Sequence, residues 1–147
     1  MKLNNDCIRD VLLYIEENVN YKKEGGAIIP DRKSFYNIAD ALSLDYAKED
    51  VYYTLTILRE AHYIETSGEA MNDTGSITRG FVNRLTWEGH EFLDGVREET
   101  IWEVAKEGAE QVKVSSLSML KEIAFEYAKA KITNPAFIPS LVAHFIK

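Results

Sequence analysis

The sequence predicts an α+β chain, mainly helical: a winged helix-turn-helix with a C-terminal helical extension. Three observations carry that expectation. Two helical stretches are joined by the brief turn "SLDY", residues 43–46, which is the spacing of a helix-turn-helix. Two alternating stretches, "YIETS" and "ITRGFVNRLTW", read as the strands of a hairpin. The segment "RLTWEGHEFLDGVREETIW", residues 84–102, runs from that returning strand straight into an amphipathic helix.

Each element follows from its own residues. Residues 4–19 form the first helix, because Cys7, Ile8, Val11, Leu12, Ile15 and Val19 recur at three- and four-residue spacing on one stripe. Gly25-Gly26 then permits a turn and Pro30 forbids a continuing helix. "AII" between them reads as a short strand paired against the later hairpin. "SFYNIADAL" follows as a compact helix with Phe35, Ile38, Ala39 and Leu42 inward. Asp45 is placed as N-cap of the next helix, Tyr46 to about His62, with Ala47, Val51, Leu55, Leu58 and His62 on its inner side. Residues 68–80, "GEAMNDTGSITRG", make a long polar tip for the hairpin.

At the end of the hairpin, Thr86 is placed as N-cap of the following helix. Trp87 is expected at the sheet–helix corner, covering the hydrophobic gap there. Phe92, Leu93 and Val96 face inward behind it. Thr100 to Glu103 has the spacing of a capping box for a restart, followed by helices over Ile101–Val112 and Leu117–Ile132. Residues 1–105 are thus expected to be the winged-helix domain. Residues 106–147 are expected to be an extension that packs on it or forms a dimer interface.

Three sequence stretches also carry a family likeness: "CIRDVLLYIEEN", "LTILREAHYIE" and, above all, "RLTWEGHEFLDGVREETIW". Over roughly residues 1–105 the chain resembles a family of short phage and prophage proteins of Gram-positive bacteria, catalogued as a domain of unknown function. The resemblance implies a winged-helix fold and a home in mobile genetic elements. It implies no reaction, substrate or cofactor.

Composition bounds the function. The 147 residues are 46% hydrophobic and 28% charged, the balance of an ordinary globular chain. "MKLNNDCIRD" lacks the apolar stretch of a signal peptide, and no run approaches the roughly 18 apolar residues of a membrane span. A cytoplasmic protein without membrane contact is expected, with Cys7 a buried small hydrophobe. The net charge is −7. The acidic surplus lies in residues 1–100, because Lys106, Lys113, Lys121, Lys129, Lys131 and Lys147 balance Glu103, Glu107, Glu110, Glu122 and Glu126. Such a charge disfavours approach to phosphates.

No catalytic, cofactor or metal residues are expected. His62, His90 and His144 lie in separate segments, and "GHEFLD" lacks the second histidine of a zinc-protease helix. His90 and Asp94 share a helix face and read as a hydrogen-bonded or solvated pair. "DTGS" in the hairpin tip is read as coincidence.

The helix-turn-helix is the informative surface. With Val51, Leu55 and Leu58 inward, its second helix turns Glu49, Tyr53, Thr56 and Glu60 outward. Carboxylates brought against DNA phosphates cost on the order of 1 kcal/mol per close pair even in water. This face is either merely solvated or a binding surface, and among binding roles tyrosines amid charges suit a protein interface. The expected function is therefore non-enzymatic binding, through this acidic face, of a basic protein partner such as a nucleic-acid-binding host or defence protein. The alternative is a dimeric DNA-binding transcriptional regulator using Lys22, Lys23, Arg32, Lys33, Arg79 and Arg84. A homodimer interface is expected on the C-terminal helices, at Leu117, Leu120, Tyr127, Phe137, Leu141 and Phe145.

Overall fold

The computed structural model describes residues 1–71, 73 and 77–132. Among these are six helices and two small antiparallel sheets, in two compact units, one of Met1–Leu93 and one from Asp94 onward. No helix among the described residues is long and apolar enough to cross a membrane.

The first unit opens with α1 (Asn5–Asn18). The Asn4 carboxamide oxygen accepts from the Cys7 backbone N–H at 3.1 Å and caps it. The stripe Cys7, Ile8, Val11, Leu12 and Ile15 is buried. Each of the four aliphatic side chains contributes about 1.5–3 kcal/mol when fully removed from water.

The chain then forms β1 (Asn20–Glu24) and β2 (Ala27–Asp31), paired with each other. The sequence expectation that "AII" joins the later hairpin is therefore corrected. Gly25 and Gly26 have φ of +57° and +81°, as a two-residue type I′ turn requires. The strands beside that turn close the shortest available loop. The segment that joins the later hairpin is β3 (Lys33–Ser34), which pairs with Val82 and Phe81 of β5 (Ile77–Leu85). β5 also pairs with β4 (Ile64–Met71), giving a sheet ordered β3-β5-β4. The strands reach further into residues 68–80 than a polar tip implies, taking in Gly68–Met71 and Ile77–Gly80. Gly68, at φ +65°, lies where the register shifts between Ser67 and Ala70. Thr74, Gly75 and Ser76 of "DTGS" lie outside the described residues.

Between β3 and β4 stand α2 (Phe35–Ala41) and α3 (Lys48–Glu60). Ser34 caps α2 by accepting from the Asn37 N–H at 3.0 Å. Phe35, Ile38 and Ala39 are buried, as are Val51, Thr54, Leu55 and Leu58 of α3. Phe35 meets Tyr52 edge-to-face at 6.0 Å. Three details of α3 depart from expectation, one being that Ala47 is exposed rather than inward. Asp45 does not cap it: the helix begins later, behind Ala47, with no side-chain cap. Tyr46 is held outside the helix, donating its hydroxyl to Asp10 of α1 at 2.6 Å. Burial, with that carboxylate beside it, pushes the Tyr46 phenol well up. At the other end His62 is exposed rather than inward, because it sits beyond the helix in the left-handed region at φ +61°.

α4 (Trp87–Val96) follows β5. Thr86 caps it as expected, accepting from the Gly89 N–H at 3.1 Å. The Thr86 hydroxyl donates to the His62 carbonyl, and its N–H donates to the Tyr63 carbonyl at 3.0 Å. Gly89 lies so near that Tyr63 carbonyl that a side chain there would collide with it. Tyr63 stacks on Phe92 at 5.4 Å. Trp87 is a correction: the indole covers no gap and is 73% exposed. Phe92 and Leu93 bury the opposite side of the helix, so the first residue of α4 points to water.

The second unit pairs α5 (Glu99–Val112) with α6 (Leu117–Ile132). The N-cap of α5 is Glu98, not Thr100. Its carboxylate accepts from the N–H groups of Thr100 and Ile101, and those bonds hold Glu98 below the ordinary glutamate range. Glu103 instead pairs with Lys106 at 3.2 Å. Lys113, at φ +59°, ends α5. Trp102, Ala105, Ala109, Leu120 and Ala124 are buried. The small residues on α5 let the helices approach closely, and a methyl group on Gly108 would stand 3.2 Å from Ile123.

Candidate functional site

Burial of Val51, Thr54, Leu55 and Leu58 fixes the rotation of α3. At about 100° per residue, that leaves Glu49, Tyr53, Thr56 and Glu60 on the other side. Glu49 and Glu60 are exposed, while Tyr53 and Thr56 are half-buried between them. The Thr56 hydroxyl donates to the Tyr52 carbonyl at 2.9 Å. The four expected residues therefore occupy one face of one helix.

The cations that flank α3 are turned onto the protein's own groups. Lys48 lies 3.6 Å from the Asp40 carboxylate, donates to the Tyr36 hydroxyl at 3.4 Å and sits 4.6 Å from that ring's centre. Arg59 lies 3.4 Å from Glu69 on β4. A hydrogen bond from Thr66, with Arg59 nearby, holds Glu69 below the ordinary carboxylate range. Glu49 and Glu60 form no ion pair with a described residue, so the face carries uncompensated negative charge. A shallow concavity of about 410 Å³ adjoins Glu60, lined also by Arg59, His62, Ile64, Glu65 and Thr66.

Several of the residues considered for nucleic acid are paired with the protein's own groups. Lys22 is 3.3 Å from Glu24 and 3.7 Å from Asp31, and Lys33 is 4.0 Å from Asp31. Arg84 is 2.8 Å from Glu65. Arg32 lies 3.9 Å over the Phe81 ring and donates to Ser67. Lys23 and Arg79 are exposed, on separate sheets. Lys22, Lys23 and Arg32 to Lys33 come from the β1–β2–β3 segment, while Arg79 and Arg84 lie along β5.

On the C-terminal helices, Leu120 is buried, and Leu117 and Tyr127 are half-buried. Phe137, Leu141 and Phe145 lie outside the described residues. Val104, Met119, Ile123 and Tyr127, with Glu122 and Glu126, line a groove of about 420 Å³ between α5 and α6.

His90 lies 3.9 Å from Glu16 of α1, while Asp94 pairs with Arg97 rather than His90. Among the described residues, no three His, Cys, Asp or Glu side chains gather as a metal set. Cys7 is buried, and its sulfur accepts from the Thr54 hydroxyl at 3.4 Å. Burial raises the thiol above its ordinary range.

Trp87 is the surface residue that sequence reasoning misplaced. The signal was available. Trp87 lies nine positions before Val96, about two and a half turns at 3.6 residues per turn, and so falls opposite the buried stripe.

A family model described as "Hypothetical protein (DUF2513)" matches residues 2–116. An uncharacterized protein of Haemophilus influenzae is 30% identical over 126 residues, covering 84% of this chain and 92% of that protein. No solved structure matches the chain.

Proposed function

The chain belongs to the DUF2513 family, and we propose that it is a non-enzymatic binding protein whose acidic α3 face engages a basic protein partner. The observation that carries this reading is the pairing of Lys48 and Arg59 with Asp40 and Glu69, which leaves Glu49 and Glu60 uncompensated beside Tyr53. The order α1, β3, α2, α3, β4, β5, α4 and the β3-β5-β4 sheet support a winged helix-turn-helix in which α3 holds the place of the groove-reading helix. A helix in that place, carrying carboxylates, repels phosphates and attracts cations. The likeness of "RLTWEGHEFLDGVREETIW" to phage and prophage proteins supports a partner in the host or its defences, one that ordinarily binds nucleic acid.

The test is capture from host lysate with and without nuclease. A nuclease-resistant partner retained by the native chain should be lost by the Glu49→Lys, Glu60→Lys double variant. Equal capture by both would remove α3 from the reading. Nuclease-sensitive capture, with a duplex mobility shift that weakens steeply as salt rises, would favour the DNA-binding regulator instead.

A further inference from the structure

We infer that Trp87 is an anchor for the basic partner, its indole taking an arginine guanidinium near the carboxylates of Glu88 and Glu91. The inference rests on the reading of a basic partner and extends the binding surface from α3 onto the start of α4.

Four observations lead there. At 73% exposure, Trp87 is more open than any other aromatic side chain described. Its neighbours are anionic: Glu88 follows it, Glu91 stands one turn further along, both are exposed, and residues 86–93 contain no lysine or arginine. Five other described rings have a cation of their own, although the exposed Tyr21 is not among them. Lys48 lies over Tyr36, Arg32 over Phe81, Lys106 over Trp102, Lys129 over Phe125 and Lys131 over Tyr127. No described lysine or arginine lies over Trp87. Finally, the bonds from Thr86 to His62 and Tyr63 fasten this corner to the end of α3, where Glu60 stands.

An indole face attracts cations through its quadrupole, and a planar guanidinium stacks on it while donating to carboxylates alongside. Tryptophan is also enriched among the side chains that dominate interface energetics. Charge decides between occupants: exposed carboxylates one and four positions on from the ring favour a basic peptide over a stacked nucleotide with its phosphates.

The probe is a hexa-arginine peptide titrated into the full chain at low salt. Tryptophan emission and calorimetry give the readout, and buried Trp102 supplies a constant background. The expected result is a change in the exposed indole's emission with saturable binding. Trp87→Ala should weaken binding at least tenfold, Trp87→Phe should recover part of the loss, and Glu88→Gln with Glu91→Gln should weaken it several-fold. Circular dichroism should show each variant folded, since these side chains are exposed. Absence of binding, equal affinity for Trp87→Ala, or preferential Trp87-dependent binding of a single-stranded oligonucleotide would overturn the inference. The two readings fail separately: the α3 face is judged by lysate capture with the Glu49→Lys, Glu60→Lys variant, Trp87 by the peptide.

Discussion

Trp87 and Trp102 each stand within the first turn of a helix, and the fold treats them in opposite ways. Trp87 opens α4 and is 73% exposed, whereas Trp102 lies in α5 and is 1% exposed. The chemistry of the residue is the same; the phase of the helix differs. Trp102 shares a side with Ala105 and Ala109, small residues that make room for a partner helix. Trp87 stands opposite Phe92, Leu93 and the Gly89 contact. Hydrophobic character proposes burial, but the rotation imposed by the rest of the helix decides it.

Substitutions can sharpen or break that contrast. The largest effect is expected from Trp102→Ala, which removes a fully buried ring and leaves a cavity. It should cost about 3–5 kcal/mol in denaturant unfolding of the full chain. Gly89→Ala should follow. Added bulk against the Tyr63 carbonyl forces α4 to shift at a cost of about 1–3 kcal/mol, partly offset by alanine's better helix propensity of about 1 kcal/mol. A lowered unfolding midpoint checks it; an unchanged one would mean that the α4 phase is not locked by this approach. Trp87→Ala should change stability least, within about 0.5 kcal/mol as for an ordinary surface position. A loss of several kcal/mol would show that the indole supports the fold and would end the contrast.

The sequence made the helices legible because burial writes a period into them. The stripes Cys7–Ile8–Val11–Leu12–Ile15 and Val51–Leu55–Leu58 lie inward as expected. Junctions were harder to read, because several local solutions compete there. Asp45 has the right chemistry for a cap, but Tyr46 reaches Asp10 across the unit and delays the helix to Lys48. "AII" suits either hairpin, and the two-glycine turn settles the choice locally. Glu98 caps α5 from two residues before the expected threonine, a role glutamate seldom signals in sequence. The placement of Glu49, Tyr53, Thr56 and Glu60 on one face of α3 was legible, since it follows from the buried stripe. The satisfaction of Lys48 and Arg59 was not, because their carboxylates come from α2 and β4, distant in sequence.

The sulfur sealed beneath Thr54 has a practical consequence. Cys7 is the chain's single cysteine, has no exposed surface and is bonded across from α1 to α3. An alkylating reagent can reach it only when those two helices part. Its labelling rate in native buffer therefore acts as a chemical clock for the opening of the hydrophobic centre, with no engineered probe required.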